Sequence, residues 1–371
     1  MLSRPPPHND RVLRARVLWY PRAMVPGDAS SRRDSIVGEV LDGRYRVDAV
    51  LGQGAVGAVY RATDLEAGRQ VALKQWRSGR IDEQVRGRFL REATALDTLD
   101  HPGIVKVFGH GFTDGVPYVA LEYLEGETLE ALVSQGKPLD TALAFELARQ
   151  ALAAVAYAHK RDLVHRDLKP ENIFIGRDGS GAPRVKILDY GLAKFMQPGQ
   201  DPTKGAALTM TGMVMGTPLY MPPEQAAGSS VDLPVDVYAL GCVLFEMLSG
   251  RPPFLGETNL ELLSAHLRAP IPKLEAARPD VVVVPELQAL LDRAMAKKQT
   301  ERFPSAGAML AALEAVPQPA IAPRAVPAPP AAPPADLRAT LPTAPRARAP
   351  QRYALVGVAV VLVALAYALL R

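Results

Sequence analysis

The sequence predicts an α+β protein in which a small lobe rich in strands is followed by a larger lobe rich in helices. Short strand-like segments fill the chain up to about Tyr123, and long segments with helical spacing follow that point. The length of 371 residues and the hydrophobic content of 48% are enough for one large core or two modest ones. A chain that is disordered throughout is therefore excluded.

Five strands and one helix are predicted in the first lobe. The helix covers residues 83–99, where Phe89, Ala93 and Leu96 recur at helical spacing. The strands are short, and the first two flank a glycine-rich turn. They cover residues 44–50, 58–62, 70–75, 105–108 and 118–122.

Five helices are predicted in the second lobe. Two of them are long, and three shorter ones continue the helical pattern toward the end of the lobe. They cover residues 139–161, 235–248, 260–267, 285–296 and 305–313. The two lobes together form one predicted domain over residues 45–314.

The segments on either side of this domain differ from it in composition. Residues 1–40 combine prolines with arginines and contain no apolar run of signal-peptide length. We expect a disordered basic extension there, with contact to anionic lipid as the alternative. Residues 317–350 are rich in proline and alanine, a composition that favours extended, polyproline-like conformations and indicates a linker.

Residues 353–370 form an unbroken run without a charge. As a helix this run is about 27 Å long, close to the ~30 Å of a bilayer's hydrocarbon core. A helix buried in a protein core is the alternative, but the run is apolar on every face and follows the predicted linker. We expect a single transmembrane helix, and three preceding arginines favour a cytoplasmic location for the folded domain: Arg346, Arg348 and Arg352.

Charge and cysteine content argue against other classes of protein. The 43 Lys and Arg against 39 Asp and Glu leave a net charge of +4, which gives no support for a nucleic-acid partner. The single cysteine, Cys242, excludes an internal disulfide and a zinc site built from cysteines. Such a chain suits a reducing compartment.

Three glycines, Gly52, Gly54 and Gly57, lie between the first two predicted strands. Their spacing alone is compatible with a dinucleotide fingerprint or with a plain glycine-rich hairpin. A dinucleotide site requires a helix after the glycines, whereas here a strand is predicted to follow. Glycines in a hairpin allow the backbone to close over phosphate groups without clashes of Cβ atoms.

Polar residues with chemical roles follow this turn. Lys74 lies on the next predicted strand, where it can neutralise phosphates, and Glu92 on the predicted helix can hold it by an ion pair. A lone pair of this kind is usually a surface feature. The later segment HRDLKPEN supplies Asp167 as a proton acceptor and Lys169 as a phosphoryl contact. Two residues supply the oxygen ligands that Mg²⁺ prefers: Asn172 and Asp189.

This set of motifs resembles the protein kinases, and specifically the bacterial serine/threonine kinases of the eukaryotic (Hanks) type. The motifs occur in the family's order across about 270 residues. The resemblance implies the bilobal protein kinase fold and transfer of the ATP γ-phosphate to serine or threonine hydroxyls of proteins. It also implies Mg²⁺ as the metal ion, with Mn²⁺ as a substitute.

The resemblance assigns roles residue by residue. Asp167 is expected to be the catalytic base, Lys169 the γ-phosphate contact, and Asn172 and Asp189 the metal ligands. Lys74, paired with Glu92, is expected to contact the α- and β-phosphates. The remaining ATP-site residues form the glycine loop, the adenine walls, the gatekeeper and the hinge: Leu51, Gly52, Gln53, Gly54, Ala55, Val56, Gly57, Ala58, Val59, Ala72, Leu121, Glu122 and Leu124.

Other residues are expected to hold the site in shape. Asp236 anchors a stack of four side chains, the regulatory spine, and Glu224 pairs with Arg302 in the larger lobe. The spine consists of Leu96, Val107, His165 and Tyr190. Two positions depart from the family pattern, although neither removes a group that performs chemistry. Tyr190 replaces the usual phenylalanine and adds a hydroxyl that needs a partner or water, and Pro222 replaces the usual alanine.

The resemblance also implies regulation and partners. An arginine before the catalytic base, here Arg166, marks kinases that are regulated through the activation loop. Thr209 and Thr211 are the candidate autophosphorylation sites, since a phosphate can bind such an arginine; the alternative is that they are plain solvated loop residues. Thr217 is expected to be structural, and together with Lys169 it is typical of serine/threonine specificity.

The expected partners are protein substrates with serine or threonine acceptors, the membrane, and a second copy of the chain for autophosphorylation in trans. Only Arg371 follows the apolar run, so we do not expect the chain to sense an external ligand by itself. A membrane-tethered pseudokinase or scaffold is the alternative function. The presence of Lys74, Asp167 and Asp189 argues against it.

Overall fold

A computed structural model of the chain describes residues 36–54, 57–76, 83–190 and 218–324. Most of each predicted lobe lies within these ranges. The predictions for residues 1–35, for the three threonines of the activation loop and for the apolar run 353–370 fall outside the described residues. Within the described ranges, no helix combines the length and the apolar character that crossing a membrane requires.

The first lobe is built on a six-stranded antiparallel sheet with the strand order β1-β2-β3-β4-β6-β5. Helix α1 (Glu83–Asp97) lies between β4 and β5 in the chain. The strands are β1 (Val40–Leu41), β2 (Tyr45–Gln53), β3 (Gly57–Asp64), β4 (Arg69–Trp76), β5 (Val107–Thr113) and β6 (Val116–Glu122).

This sheet buries side chains on both of its faces. Helix α1 buries its predicted apolar stripe, including Phe89, Ala93 and Leu96, in the main core of the molecule. A second, smaller core includes Tyr45 and the other buried tyrosines of the sheet. Because the sheet is covered on both faces, the centre of β4 is a continuous buried run rather than an alternating one.

The second lobe is helical, and helix α5 (Pro234–Ser249) forms its centre. This helix is buried along nearly its whole length, as expected of a segment that is apolar on every side. It ends at Gly250, whose left-handed φ of 79° lets its N–H bond to the Glu246 carbonyl at 2.7 Å. The other helices are α2 (Leu129–Val133), α3 (Thr141–His159), α4 (Pro223–Ala226), α6 (Asn259–Arg268), α7 (Leu274–Ala277), α8 (Pro285–Ala294) and α9 (Ala306–Glu314).

A three-stranded antiparallel sheet positions the polar motifs. It consists of β7 (Glu127–Thr128), β8 (Ile173–Arg177) and β9 (Pro183–Ile187), and Ile173 pairs with Ile187. The chain just before β8 and the chain just after β9 therefore leave the same end of one hairpin. This register brings the HRDLKPEN segment close to Asp189.

Two predicted boundaries in the first lobe are corrected by the structure. The fourth predicted strand, at residues 105–108, is displaced: β5 runs from Val107 to Thr113, because it forms a hairpin with β6 through a tight turn. Asp114 and Gly115 occupy this turn with φ of 52° and 78°. Val40, which was placed in the N-terminal extension, begins β1.

The predicted linker also begins later than expected. Strand β11 (Ile321–Pro323) pairs antiparallel with β10 (Val281–Val283), and Ala320 is fully buried. Arg324 then bonds to the Asp280 carbonyl through its backbone N–H and to Glu275 through its side chain. A proline-rich composition disfavours a core, yet a short edge strand tolerates proline. The ordered domain therefore extends to Arg324 rather than to residue 314.

Candidate active site

The HRDLKPEN segment forms a loop between α3 and β8 that gathers three polar side chains. The Asn172 amide donates to the Asp167 carbonyl at 2.7 Å and to Asp167 Oδ2 at 3.1 Å. Lys169 Nζ lies 3.1 Å from the same carboxylate oxygen. Burial opposes the charge of Lys169, but Asp167 and the neighbouring carboxylates outweigh burial and raise the pKa of Lys169. The lysine is therefore held charged beside Asp167.

Asp236, at the start of α5, holds this loop in place through hydrogen bonds to its backbone. Its side chain is only 1% exposed and accepts hydrogen bonds from the backbone N–H groups of His165 and Arg166, both at 2.8 Å. It also accepts from His159 Nε2 at 3.0 Å, since His159 Nδ1 accepts the Ala306 N–H and leaves the ring proton on Nε2. Burial alone raises the pKa of Asp236, but these bonds outweigh it and lower the pKa.

His165 links the loop to the segment after β9. Burial lowers the pKa of its fully enclosed ring, so the ring is neutral at physiological pH. Nε2 carries the proton and donates to the Leu188 carbonyl at 2.6 Å, while Nδ1 accepts the Asp167 N–H at 3.3 Å. The ring also packs on Tyr190 with centroids 4.6 Å apart. Two predicted spine residues are thus in contact.

Two residues beside the site have left-handed backbones. Arg166 has a φ of 66° and Asp189 a φ of 51°, a conformation that is uncommon for residues other than glycine. Such conformations concentrate at functional sites, where the surrounding structure enforces them. At Arg166 the enforcing contacts are its own N–H to Asp236 and its carbonyl, which accepts from Gln225 at 2.9 Å.

Lys74 has a different partner from the one predicted. Its ammonium lies 2.6 Å from Asp189 Oδ2, and in the described part of the chain it forms no ion pair with Glu92. Glu92 is half-buried on α1, and desolvation raises the pKa of its carboxyl, an effect that the charge of Arg166 partly offsets. Asp189, whose φ is left-handed, supplies the carboxylate that contacts Lys74 in place of Glu92. The predicted Lys74–Glu92 pair is absent from this arrangement.

The predicted adenine walls come together through strand register. Val59 lies opposite Lys74 in the β3–β4 pair, and Ala72 lies opposite Leu121 in the β4–β6 pair. All three apolar residues are buried, as is Leu124, and Leu51 packs against the same core. Glu122, in the predicted hinge, points its carboxylate to Lys186 Nζ at 2.6 Å. Its side chain therefore has a structural partner, and its backbone N–H bonds to the Lys106 carbonyl at 2.8 Å.

The glycine turn is described on both sides of its tip. The Gly54 N–H bonds to the Gly57 carbonyl at 2.9 Å, which closes the hairpin. Gly57 has no room for a side chain, because a Cβ atom there would lie 2.2 Å from the Gln75 carbonyl oxygen. Gly52 and Gln53 end β2 and Ala58 lies in β3, while Ala55 and Val56 fall outside the described residues.

Glu224 and Arg302 form a buried bidentate ion pair in the larger lobe. Both Arg302 terminal nitrogens donate to Glu224 oxygens at 2.7 Å, and the guanidinium makes three further bonds to backbone carbonyls. Those carbonyls belong to Pro234, Ala296 and Lys297. Thr209, Thr211 and Thr217 lie outside the described residues.

Three contacts near the site were missed by the sequence analysis. They are Lys186 to Glu122, Gln225 to the Arg166 carbonyl, and the Tyr220 hydroxyl to Glu246 Oε2 at 2.6 Å. Gln225 directly follows Glu224 in the sequence, so the motif around Glu224 was the signal that could have indicated it. No signal in the sequence links the other two pairs, because their members lie 64 and 26 residues apart.

Comparisons with known proteins identify the family of this chain. The protein kinase domain family matches residues 45–312. The chain belongs to the protein kinase family. It is 38% identical over 285 residues to serine/threonine-protein kinase pkn3 of Myxococcus xanthus, which covers 76% of this chain and 52% of the relative. It is 35% identical over 272 residues to PrkC of Bacillus subtilis, covering 73% of this chain and 40% of that relative.

A third relative and two solved structures complete the comparison. PknB of Mycolicibacterium smegmatis is 37% identical, over 74% of this chain and 43% of the relative. The PknI kinase domain of Mycobacterium tuberculosis superposes with a TM-score of 0.57 at 28% identity, over 75% of this chain and 97% of that one. Rad53 in complex with AMP-PNP superposes with a TM-score of 0.57 at 27% identity. This match covers 72% of this chain and 64% of the Rad53 chain. The chain thus spans about half the length, or less, of the curated relatives.

Protein kinases use ATP and Mg²⁺, and the described residues fit both. The Asn172 amide nitrogen is engaged with Asp167, so its oxygen is left as an acceptor. Together with Asp189 it offers the hard oxygen ligands that Mg²⁺ requires. Lys74 offers a cation for phosphate between the glycine hairpin and this pair. In this kinase, Asn172 and Asp189 would hold the metal, and Lys74 the phosphates.

Proposed function

We propose that this protein is a serine/threonine protein kinase that transfers the γ-phosphate of ATP to serine or threonine hydroxyls of protein substrates. The observation that carries this proposal is the convergence of Lys74 with Asp189 on one side and of Lys169 and Asn172 with Asp167 on the other. These groups come from separate parts of the chain. They gather at one end of the β8–β9 hairpin, beside the apolar walls of β3, β4 and β6.

In the proposed reaction, the substrate hydroxyl oxygen attacks the γ-phosphorus, the bond to the bridging oxygen breaks, and ADP leaves. Asp167 accepts the hydroxyl proton, and the Asn172 amide orients its carboxylate. Lys169 balances charge on the transferred phosphoryl group, and Lys74 balances charge on the other phosphates. Bound Mg²⁺ supplies neutralisation of phosphate charge.

The test is phosphate transfer from radiolabelled ATP to casein by the purified full-length chain with Mg²⁺. Asp167→Asn keeps the shape of the side chain and removes the proton acceptor, so we expect a loss of about 10²–10⁴-fold. The matched control is Asp100→Asn, a change at an aspartate whose side chain is 87% exposed. Equal activity of Asp167→Asn and wild type would contradict the proposal, and an inactive wild type would favour the pseudokinase alternative.

We also propose that residues 353–370 anchor the kinase in the cell membrane, with the kinase domain in the cytoplasm. The support is the uncharged run itself and the three arginines that precede it, Arg346, Arg348 and Arg352. Residues 1–40 and the linker before the anchor carry no further functional assignment.

Deletion of residues 353–371 tests the anchor. The truncated kinase is expected in the soluble fraction with its activity kept, whereas a deletion of equal length at the other end, residues 2–20, is expected to leave it in membranes. A truncated protein that still sediments with membranes after a high-salt wash would show that this segment is not the anchor.

A third part of the proposal concerns activation. We propose that two copies of the chain phosphorylate each other on Thr209 and Thr211, and that the phosphates pair with Arg166. The support is the position of Arg166 directly before Asp167, on backbone that Asp236 and Gln225 hold in place. A phosphate carries about −1.5 to −2 charges and accepts bidentate bonds from a guanidinium.

A further inference from the structure

A small cavity lies behind Lys74, between the sheet, helix α1 and the segment after β9. Its volume is about 20 Å³. The side chains that bear on the argument are Lys74, Trp76, Leu121, Asp189 and Tyr190, and the rest of its wall is aliphatic. Because roughly 10–15 Å³ is enough to admit one water molecule, the cavity has room for one.

Two of the lining side chains carry a buried polar atom without a hydrogen-bond partner in the described part of the chain. They are the Trp76 indole nitrogen and the Tyr190 hydroxyl. Both residues are more than nine-tenths buried, with exposures of 3% and 6%. A buried donor without a partner is rare in proteins, because it loses its bond to water and gains nothing in return.

The chemistry of these two atoms is complementary to water. An indole N–H only donates, so its partner must accept, whereas a phenol hydroxyl both donates and accepts. A phenol has an ordinary pKa of about 10, so the Tyr190 hydroxyl keeps its proton at neutral pH and can donate. Asp189, on the same wall, adds carboxylate oxygens of which Oδ2 already binds Lys74. A molecule with two lone pairs and two protons can satisfy all three groups.

We infer that this cavity binds one ordered water molecule, which accepts from the Trp76 indole and bonds to the Tyr190 hydroxyl. Buried waters make about three hydrogen bonds, and the wall supplies that number. The water ties the end of β4 to the residue after Asp189. It thereby makes Tyr190 a positioning residue, whose hydroxyl helps to fix the segment that carries Asp189.

Trp76 provides a direct reporter for this water. The sequence contains two tryptophans, so in the full-length Trp19→Phe variant every indole signal belongs to Trp76. We expect the Trp76 indole proton to show a nuclear Overhauser cross-peak to water in NMR spectra, with slow exchange against solvent. Absence of the cross-peak in this folded, otherwise unchanged protein would overturn the inference.

Substitution of Tyr190 separates a bridging water from one that binds the indole alone. In Trp19→Phe, Tyr190→Phe we expect loss of the water cross-peak, or a shift of the indole proton toward the position of a free N–H. The matched control is Tyr238→Phe, which removes a buried hydroxyl that bonds to His266 in the other lobe. Both substitutions are made in the Trp19→Phe background. An indole signal that Tyr190→Phe leaves unchanged would contradict the bridging water. An equal change of the indole signal in Tyr190→Phe and in Tyr238→Phe would also contradict it.

Thermal melting supplies a second measurement. Trp76→Phe and Tyr190→Phe are each expected to lower the melting temperature, and the double variant is expected to lower it by less than the sum. Additive losses would contradict a shared water. Should Tyr190→Phe fail to fold, the cross-peak in the Trp19→Phe protein decides the question.

Discussion

Two ion pairs of nearly equal length serve different purposes in this molecule. Lys74 to Asp189, between the lobes, measures 2.6 Å, and Arg302 to Glu224, within the larger lobe, measures 2.7 Å. The side chains of the first pair are 11% and 28% exposed, and those of the second are 0% and 6% exposed. The first is a single contact, whereas the Arg302 guanidinium makes five hydrogen bonds.

The difference shows how a charged pair can be suited to chemistry or to stability. Lys74 and Asp189 share a single contact, and the Asp189 side chain keeps 28% of its surface exposed. This contact is therefore easier to exchange for a phosphate or a metal ion than a fully buried one. The Arg302 pair is fully desolvated, and such a pair persists only when every donor is satisfied. We therefore expect substitutions in the first pair to change activity and substitutions in the second to change folding.

We expect the greatest change at the Lys74–Asp189 pair. Lys74→Met removes charge from the phosphate site without removing core volume, so phosphoryl transfer should fall by about 10³-fold. The urea midpoint should stay close to that of wild type, because Asp189 remains partly solvated. Lys298→Met, at a lysine whose side chain is 78% exposed, is the matched control and should leave both quantities unchanged. Wild-type turnover by Lys74→Met would refute its role.

Arg302→Met tests the buried pair. It leaves the Glu224 carboxylate buried without its cation, so the free energy of unfolding should fall by about 3–5 kcal/mol. The double variant Arg302→Met, Glu224→Gln should recover part of this loss, because it removes the uncompensated charge. Urea unfolding measures both variants. If Arg302→Met loses activity while its urea midpoint is unchanged, the assignment of the Arg302–Glu224 pair to stability is contradicted.

Glu246 is buried like Glu224, but it accepts a hydrogen bond from the neutral Tyr220 hydroxyl rather than from a cation. Burial, helped by Glu171 and Glu130 and opposed by Tyr220, raises the pKa of Glu246 to about 7. The folded state therefore holds a proton that the unfolded state releases at lower pH. The contribution to stability is full below the unfolded pKa and is lost as pH rises through 7.

Between about pH 5 and about pH 8, the free energy of unfolding of wild type should fall relative to that of Glu246→Gln by about 2 kcal/mol. Urea unfolding across this range measures the difference. A difference that is independent of pH, or one that grows in the opposite direction, would contradict the raised pKa.

The weakest predicted change is at Thr209 and Thr211, which lie between Asp189 and Glu224 in the sequence. The double change Thr209→Ala, Thr211→Ala should reduce the initial rate by at least about tenfold, or about 1.4 kcal/mol of activation free energy. Phosphatase-treated wild type should fall to a similar level. Thr203→Ala, at another threonine before Thr209, serves as the control. A double mutant as fast as phosphorylated wild type would place the activating contact elsewhere.

Much of the site was predictable because its chemistry resides in short motifs. Asp167, Lys169 and Asn172 lie within six residues of one another, so a single loop is enough to bring them together. The apolar stripe of α1 was equally plain, since helical spacing predicts which residues are buried. Glu224 and Arg302 are 78 residues apart in the sequence, and their contact was expected only through the family resemblance.

The residues that the chemistry requires are recognisable in the amino-acid sequence: Lys74 on β4, Asp167 and Asn172 in the HRDLKPEN segment, and Asp189 after β9. How these residues pair depends on the packing of the whole fold. This packing placed Lys74 against Asp189 rather than Glu92, set Lys186 against Glu122, and added β11 to the domain. The cause is the separation of the paired residues along the chain. Motifs and periodicity act over a few residues, whereas these contacts join residues as many as 115 positions apart and depend on how whole elements pack.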